Sequence, residues 1–259
     1  MIEPFRDLES FGVEYRETQI SEADTDVVTA VCDAVATKRV LVFREQVADD
    51  GQFVEFLRKI GTLMFTPGET PVAGAAELNV VSNVGRVTPP RSVFHTDTSY
   101  VRRPPAIGAM RAVLVPSSGG KTLFSDQVDA ASALPAATLS WLRGRTLLHS
   151  VTGVDGTIRQ ERHPVLRRHP TTGEAGLFLS TPERCTGLSG VDERTSARIV
   201  RILYDRSTRL RGLYQHCWKM GDIVLWDNRT TMHRADHAGV VGNRILHRGL
   251  VMGEIPKAA

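Results

Sequence analysis

Apolar and polar residues alternate with a period of two along much of this 259-residue chain, and with a period near 3.6 in a few stretches. Residues 13–17 predict a first strand. Ser21, with Asp24 three positions later, marks a helix start, and that helix is expected to reach about residue 37. Val40–Phe43 is apolar throughout and predicts a short buried strand. Asp50–Ile60 sets Phe53, Phe56, Leu57 and Ile60 on one helical face, with Gly61 as terminator. Strands are then expected near 77–83, 93–98, 106–115, 121–125, 145–152, 176–180, 222–226 and 244–252. Two more helices are expected, at 135–142 and 192–204; Pro135 suits a first turn. No internal repeat, low-complexity tract or linker breaks the pattern, so residues 1–259 are read as one domain. The pattern alone says α+β.

Composition narrows this picture. Apolar residues make up 41% and charged residues 24%, as in an ordinary globular protein. No run approaches the ~18 apolar residues of a membrane span. Met1 to Asp7 lacks the basic and then apolar segments of a signal peptide. Cys32, Cys185 and Cys217 have no paired spacing, which fits a reducing cytoplasm. A net charge of +3 demands no nucleic acid. Arginines are nevertheless dense at 194, 198, 201, 206, 209 and 211. Arg194, Arg198 and Arg201 form one helical stripe, read as a solvated face, with docking of an acidic carrier protein or phosphorylated substrate as the alternative.

Candidate chemistry begins at His95-Thr96-Asp97. In the expected strand 93–98, residues 95 and 97 share a face. An imidazole beside a carboxylate supplies two ligands of the facial triad that holds non-haem Fe(II). The third must be a distant histidine, and His233, after Trp226-Asp227-Asn228, is well placed. Beyond it, Arg244, Leu246, Arg248, Leu250 and Met252 share one face of the last long strand. Ile245, His247, Gly249 and Val251 share the other. Guanidinium groups on an apolar face need anions, and their forks bind carboxylates bidentately. Arg244, eleven residues past His233, suits the far carboxylate of a cosubstrate chelated to iron. Ion pairs with acidic side chains are the alternative for both arginines. The two lie ~13 Å apart at ~3.3 Å per residue, too far to grip one small carboxylate together.

These residues bring the chain close to a known family. His95-x-Asp97, Gly119-Gly120-Lys121-Thr122, Trp226-Asp227-Asn228 with His233, and Arg244 resemble the taurine dioxygenase (TauD/TfdA) family of Fe(II)/2-oxoglutarate-dependent dioxygenases. The likeness runs from about 92 to 251, with weaker similarity beyond. It implies a double-stranded β-helix (jelly-roll) core with flanking helices. It implies His95, Asp97 and His233 as iron ligands, and Thr122 with Arg244 for the distal carboxylate of 2-oxoglutarate. Arg248 matches the family's sulfonate-binding arginine. The cofactors implied are Fe(II), 2-oxoglutarate and O2, with succinate and CO2 as products. The implied reaction is hydroxylation, or desaturation, of an unactivated C–H in a small anionic substrate. Asp97 argues against halogenation, since halogenases of related fold carry Gly or Ala there. A family histidine expected near residues 63–67 is absent, which puts taurine itself in doubt. The alternative is a non-catalytic or 2-oxoglutarate-independent metal-binding jelly roll. A homo-oligomer is left open.

Other residues are assigned structural parts. Trp226 and Phe94 are expected to wall the iron site, and Asp227 and Asn228 to fix the turn before His233. His163 and His169 resemble the family's His-Pro hairpin, a turn rather than a ligand pair. His149 and His216 are read as core histidines. His237 is read as a loop residue outside the triad.

Overall fold

The computed structural model describes residues 6–8, 10–85, 92–153, 156–209 and 212–259. Among them, nine strands form one large sheet. Its order is Arg6–Asp7, Val13–Tyr15, Val40–Phe43, Ile223–Asp227, Pro105–Leu114, Ile245–Met252, Ala75–Ser82 and Pro71–Val72, with Leu63–Met64 also pairing with Ile245–Met252. A smaller sheet of Tyr214–His216, Thr122–Asp126 and Thr231–Ala235 faces it. This is the jelly-roll core expected from the sequence, with helices on its outer surfaces.

The period-two pattern explains the layering. Leu41, Phe43, Ile223 and Leu225 pack outward, under helices Thr25–Lys38 and Asp50–Ile60. Their neighbours Val40, Val42, Val224 and Trp226 point inward and meet Phe124 and Tyr214 of the small sheet. Helix Asp50–Ile60 starts at a full capping box between Asp49 and Gln52. It buries Phe53, Phe56 and Leu57, each worth roughly 1.5–3 kcal/mol. A third cluster lies beyond the small sheet, where Leu123 and Met232 pack with Val200 and Leu203 of helix Glu193–Ser207.

Several elements depart from expectation. Residues 93–98 do not form a strand: His95 makes a single bridge to His233, and the chain turns from Asp97. Thr98 there has a φ of 46°, a costly conformation for a β-branched residue. Asp24, not Ser21, caps the first helix, by accepting from the Val27 N–H. Ser21 sits in the preceding 3-10 turn. The strand Thr231–Ala235 and the helix Gln127–Ser132 were not anticipated, nor was Ile158–Pro164, which pairs with Thr146–Thr152. Ile158–Pro164 is largely polar, so it carries no apolar alternation. The arginines at 194, 198 and 201 are exposed on their helix, as a solvated face requires. Residues 1–5 and Arg211, on which two expectations rest, lie outside the described residues. Among the described residues, no helix is long and apolar enough to cross a membrane.

Candidate metal centre and adjoining cavities

The inner face of the fold gathers the charged residues. His233 lies on strand Thr231–Ala235, and its peptide exchanges two hydrogen bonds of 3.0 Å with that of His95. This bridge sets the two imidazoles side by side, ring centroids 4.4 Å apart. Asp97 follows at the start of the turn. The Asn228 side chain clamps its peptide: Oδ1 accepts from the Asp97 N–H at 3.0 Å, and Nδ2 donates to the Asp97 carbonyl at 3.1 Å. Thus Asn228 acts on the ligand loop itself, beyond the turn-fixing part expected of it. Asp227 is fixed by Arg229 and by His169, whose Nε2 lies 2.9 Å from its carboxylate. The His169 Nδ1 accepts from the Thr171 and Thr172 N–H groups, as a turn-forming residue does.

The three side chains converge despite the missing strand. His95 Nε2 lies 3.5 Å from Asp97 Oδ1, and His233 Nε2 lies 3.8 Å from Asp97 Oδ2. All three donor atoms fall within 4.8 Å of one another. The His95 Nδ1–H faces the Val93 carbonyl at 3.0 Å, which leaves Nε2 to present its lone pair. Burial, and then the nearby His95, push the His233 imidazole down to about 3, so it is neutral at pH 7. Burial alone would raise the Asp97 carboxyl, but Arg248 first, then His233 and His95, hold it well below the usual carboxylate range. Asp97 Oδ2 is buried with no hydrogen-bond partner. A buried, ionised oxygen without a donor is costly unless a cation satisfies it. Two imidazole nitrogens and one carboxylate oxygen are the donor set of a ferrous facial triad, so these residues fit the ion.

Two cavities open from this centre, and His95, Glu69 and Arg248 line both. The smaller, about 220 Å³, also holds His233, Thr122 and Arg244. Arg244 is only 3% exposed. Its Nε donates to the Gly120 carbonyl at 2.9 Å and its Nη2 to Thr122 Oγ1 at 3.2 Å. No ion pair to it occurs among the described residues, against the structural alternative drawn from the sequence. Burial pushes its pKa down to about 10, with no acidic neighbour to offset this. Thr122 Oγ1 also accepts from Trp218 Nε1 at 2.9 Å. With both acceptor sites in use, its own O–H is left to donate into the cavity. Trp218 had no signal in the sequence; it lies in no periodic element.

Arg248 has a different setting. Its Nη1 donates to Asp97 Oδ1 at 2.9 Å, and its Nη2 lies 3.6 Å from Glu69. Its Nε is buried without a partner. The ion-pair alternative therefore holds in part, with a triad carboxylate as the partner. The larger cavity, about 520 Å³, adds Asp97, Thr66, Thr98, Tyr100 and Arg184. Thr66 stands in the segment that lacks the family's histidine, and its hydroxyl lies 3.2 Å from that of Thr98. Trp226 packs on His233 with centroids 4.7 Å apart, which Gly108 permits, since a Cβ there would strike the indole. Phe94 instead packs in the cluster with Leu123 and Met232, and it lines neither cavity. His149 and His216 are fully buried, and His237 lies in the smaller cavity outside the triad.

Comparison with known proteins places the chain in a family. A family model described as "Taurine catabolism dioxygenase TauD, TfdA family" matches residues 3–250. An alpha-ketoglutarate-dependent sulfate ester dioxygenase of Pseudomonas putida is 28% identical, over 95% of this chain and 87% of its own length. An alpha-ketoglutarate-dependent 2,4-dichlorophenoxyacetate dioxygenase of Burkholderia sp. (strain RASC) is also 28% identical, over 83% and 82%. The crystal structure of a taurine dioxygenase from Burkholderia xenovorans superimposes with a TM-score of 0.87 at 28% identity, covering 99% of this chain and 93% of the other. With fold, motifs and near-complete coverage in agreement, the chain belongs to the TauD/TfdA family of dioxygenases.

Proposed function

We propose that this protein is an Fe(II)/2-oxoglutarate-dependent dioxygenase that hydroxylates, or desaturates, an unactivated C–H bond of a small anionic molecule. The observation that carries the reading is Arg244, buried without a carboxylate partner in a cavity shared with His95 and His233. A non-catalytic or 2-oxoglutarate-independent metal protein would have no use for so costly a cation there.

In this reading His95, Asp97 and His233 hold the ion through two Nε2 atoms and a carboxylate oxygen. Arg244 and the Thr122 hydroxyl receive the distal carboxylate of 2-oxoglutarate, a charge-assisted pairing that fixes the cosubstrate's direction. Iron(II) with 2-oxoglutarate supplies the oxidising power when bound, consuming O2 and releasing succinate and CO2. The Asn228 clamp keeps Asp97 aimed at the ion. Trp226 and Phe124 keep water from the His233 side. Arg248, with its unpaired Nε and its loose contact to Glu69, is suited to receive an acidic group of the primary substrate. Relatives named for sulfate esters and 2,4-dichlorophenoxyacetate, both anionic molecules, support an anionic substrate.

The family match over residues 3–250 supports reading the whole chain as one catalytic domain. Three cysteines without disulfide bonds suit a cytoplasmic setting. The exposed arginine stripe needs no partner, and a carrier protein or a second copy stays secondary to the small-molecule reading. The test is succinate release from 2-oxoglutarate, with and without Fe(II), across a panel of carboxylates, sulfonates and sulfate esters. Iron-dependent succinate above the substrate-free background supports the reading; none in any condition refutes it.

A further inference from the structure

One wall of the larger cavity takes no part in the steps above. Tyr100, Thr98 and Thr66 lie along it, together with Arg184. The Arg184 backbone is held at both ends. Its N–H donates to the Thr181 carbonyl at 2.9 Å, and its own carbonyl accepts from the Ser150 N–H at 2.8 Å. Its half-buried guanidinium makes no ion pair or side-chain hydrogen bond among the described residues. Tyr100 is 8% exposed, and burial raises its phenol pKa against the opposing charge of Arg184, which lines the same cavity. The Thr98 hydroxyl lies 3.2 Å from the Thr66 hydroxyl.

This wall is separate from the inner site, where Arg248 meets two carboxylates, at 2.9 and 3.6 Å, and keeps a buried Nε without a partner. Arg159 and Glu183, one of each sign, complete the rim. Among the described residues, Arg184 is a cavity-lining cation without an ion pair, and it shares the cavity with the Tyr100, Thr98 and Thr66 hydroxyls.

We propose that Arg184, with Tyr100, Thr98 and Thr66, forms a second anion-binding subsite, so that preferred substrates carry an acidic group in addition to the one Arg248 receives. The proposal rests on the reading of the larger cavity as the primary-substrate site. It names the substrate class as small molecules with two acidic groups, such as a dicarboxylate or a sulfonated or phosphorylated acid.

The probes are propane-1-sulfonate and propane-1,3-disulfonate, titrated calorimetrically into the anaerobic Fe(II)- and 2-oxoglutarate-loaded protein. Wild type is expected to bind the disulfonate at least about tenfold more tightly, a gain of ~1.4 kcal/mol. Arg184→Gln should remove that preference, leave the monosulfonate within about twofold, and leave 2-oxoglutarate affinity unchanged. Arg184→Lys should restore part of it, which a purely structural role would not produce. If wild type binds 2-oxoglutarate but has no disulfonate preference, or Arg184→Gln keeps it, the subsite is wrong and the dioxygenase reading stands. If wild type fails to bind 2-oxoglutarate at all, the functional reading falls, and the subsite with it.

Discussion

Asp97 is held by two residues, and each hold has its own consequence. Asn228 grips its peptide and Arg248 pairs with Oδ1, while Oδ2 is turned to the His233 imidazole without a donor of its own. Replacing His95 with Ala removes one of three metal donors, so iron binding and turnover should be lost; full activity in that variant would contradict the triad. Asn228→Ala deletes hydrogen bonds to the Asp97 N–H and to the Asp97 and Pro105 carbonyls. At ~1 kcal/mol each, a loss of roughly 2–4 kcal/mol is expected, with weaker iron affinity measured by competition with a chelator. Arg248→Gln should lower kcat/KM for the primary substrate by at least about tenfold, with substrate-free succinate formation retained. Equal loss of both activities would assign Arg248 to Asp97 alone.

At the scale of elements, the last long strand couples fold to site. One face carries Arg244 and Arg248 inward, and the other carries Gly249 against helix Asp50–Ile60. A Cβ at Gly249 would strike Leu57 and crowd Leu78. Gly249→Ala should therefore cost about 1–3 kcal/mol and lower Tm by a few degrees, read by calorimetry. This two-faced strand was legible in the sequence because a period of two puts Arg244 and Arg248 on one face and Gly249 on the other. The helix Asp50–Ile60 was legible by its 3.6-residue period, with Gly61 marking its end, while its Asp49 cap was not anticipated. The segment around His95 was not. It has the alternation of a strand, yet long-range contacts decide its course: the bridge to His233, the Asn228 clamp and the Thr66–Thr98 hydroxyl pair. The triad residues were still found, because residue type and order along the chain reveal them whatever the backbone does. Glu69, Tyr100, Arg184 and Trp218 were not, since they come from irregular or short segments that meet only in the folded protein.

Across the whole molecule, buried neutral histidines set a pH limit. His149 is fully buried, stacked on Phe178 with centroids 5.1 Å apart, and burial pushes its pKa down to about 3. The unfolded chain binds a proton at this residue near 6.5 while the folded chain does not. Its stabilising contribution is thus full above about pH 6.5 and is lost as pH falls toward 3, at up to ~1.4 kcal/mol per unit. His233 in the iron-free protein adds the same dependence. Urea midpoints of the iron-free protein should fall between pH 6.5 and 4.5, and His149→Phe should flatten that fall; an unchanged slope would contradict it.

Cosubstrate binding at Arg244 joins all three scales, since strand register, cavity and charge meet there. The most direct measurement is 2-oxoglutarate affinity in the anaerobic, Fe(II)-loaded protein for wild type, Arg244→Lys and Arg244→Gln, with KM from succinate release alongside. Lysine keeps the charge but loses the fork, so the account predicts a KM at least about tenfold higher for Arg244→Lys and a larger loss for Arg244→Gln, with iron affinity unchanged in both. Wild-type affinity for 2-oxoglutarate in both variants would contradict it.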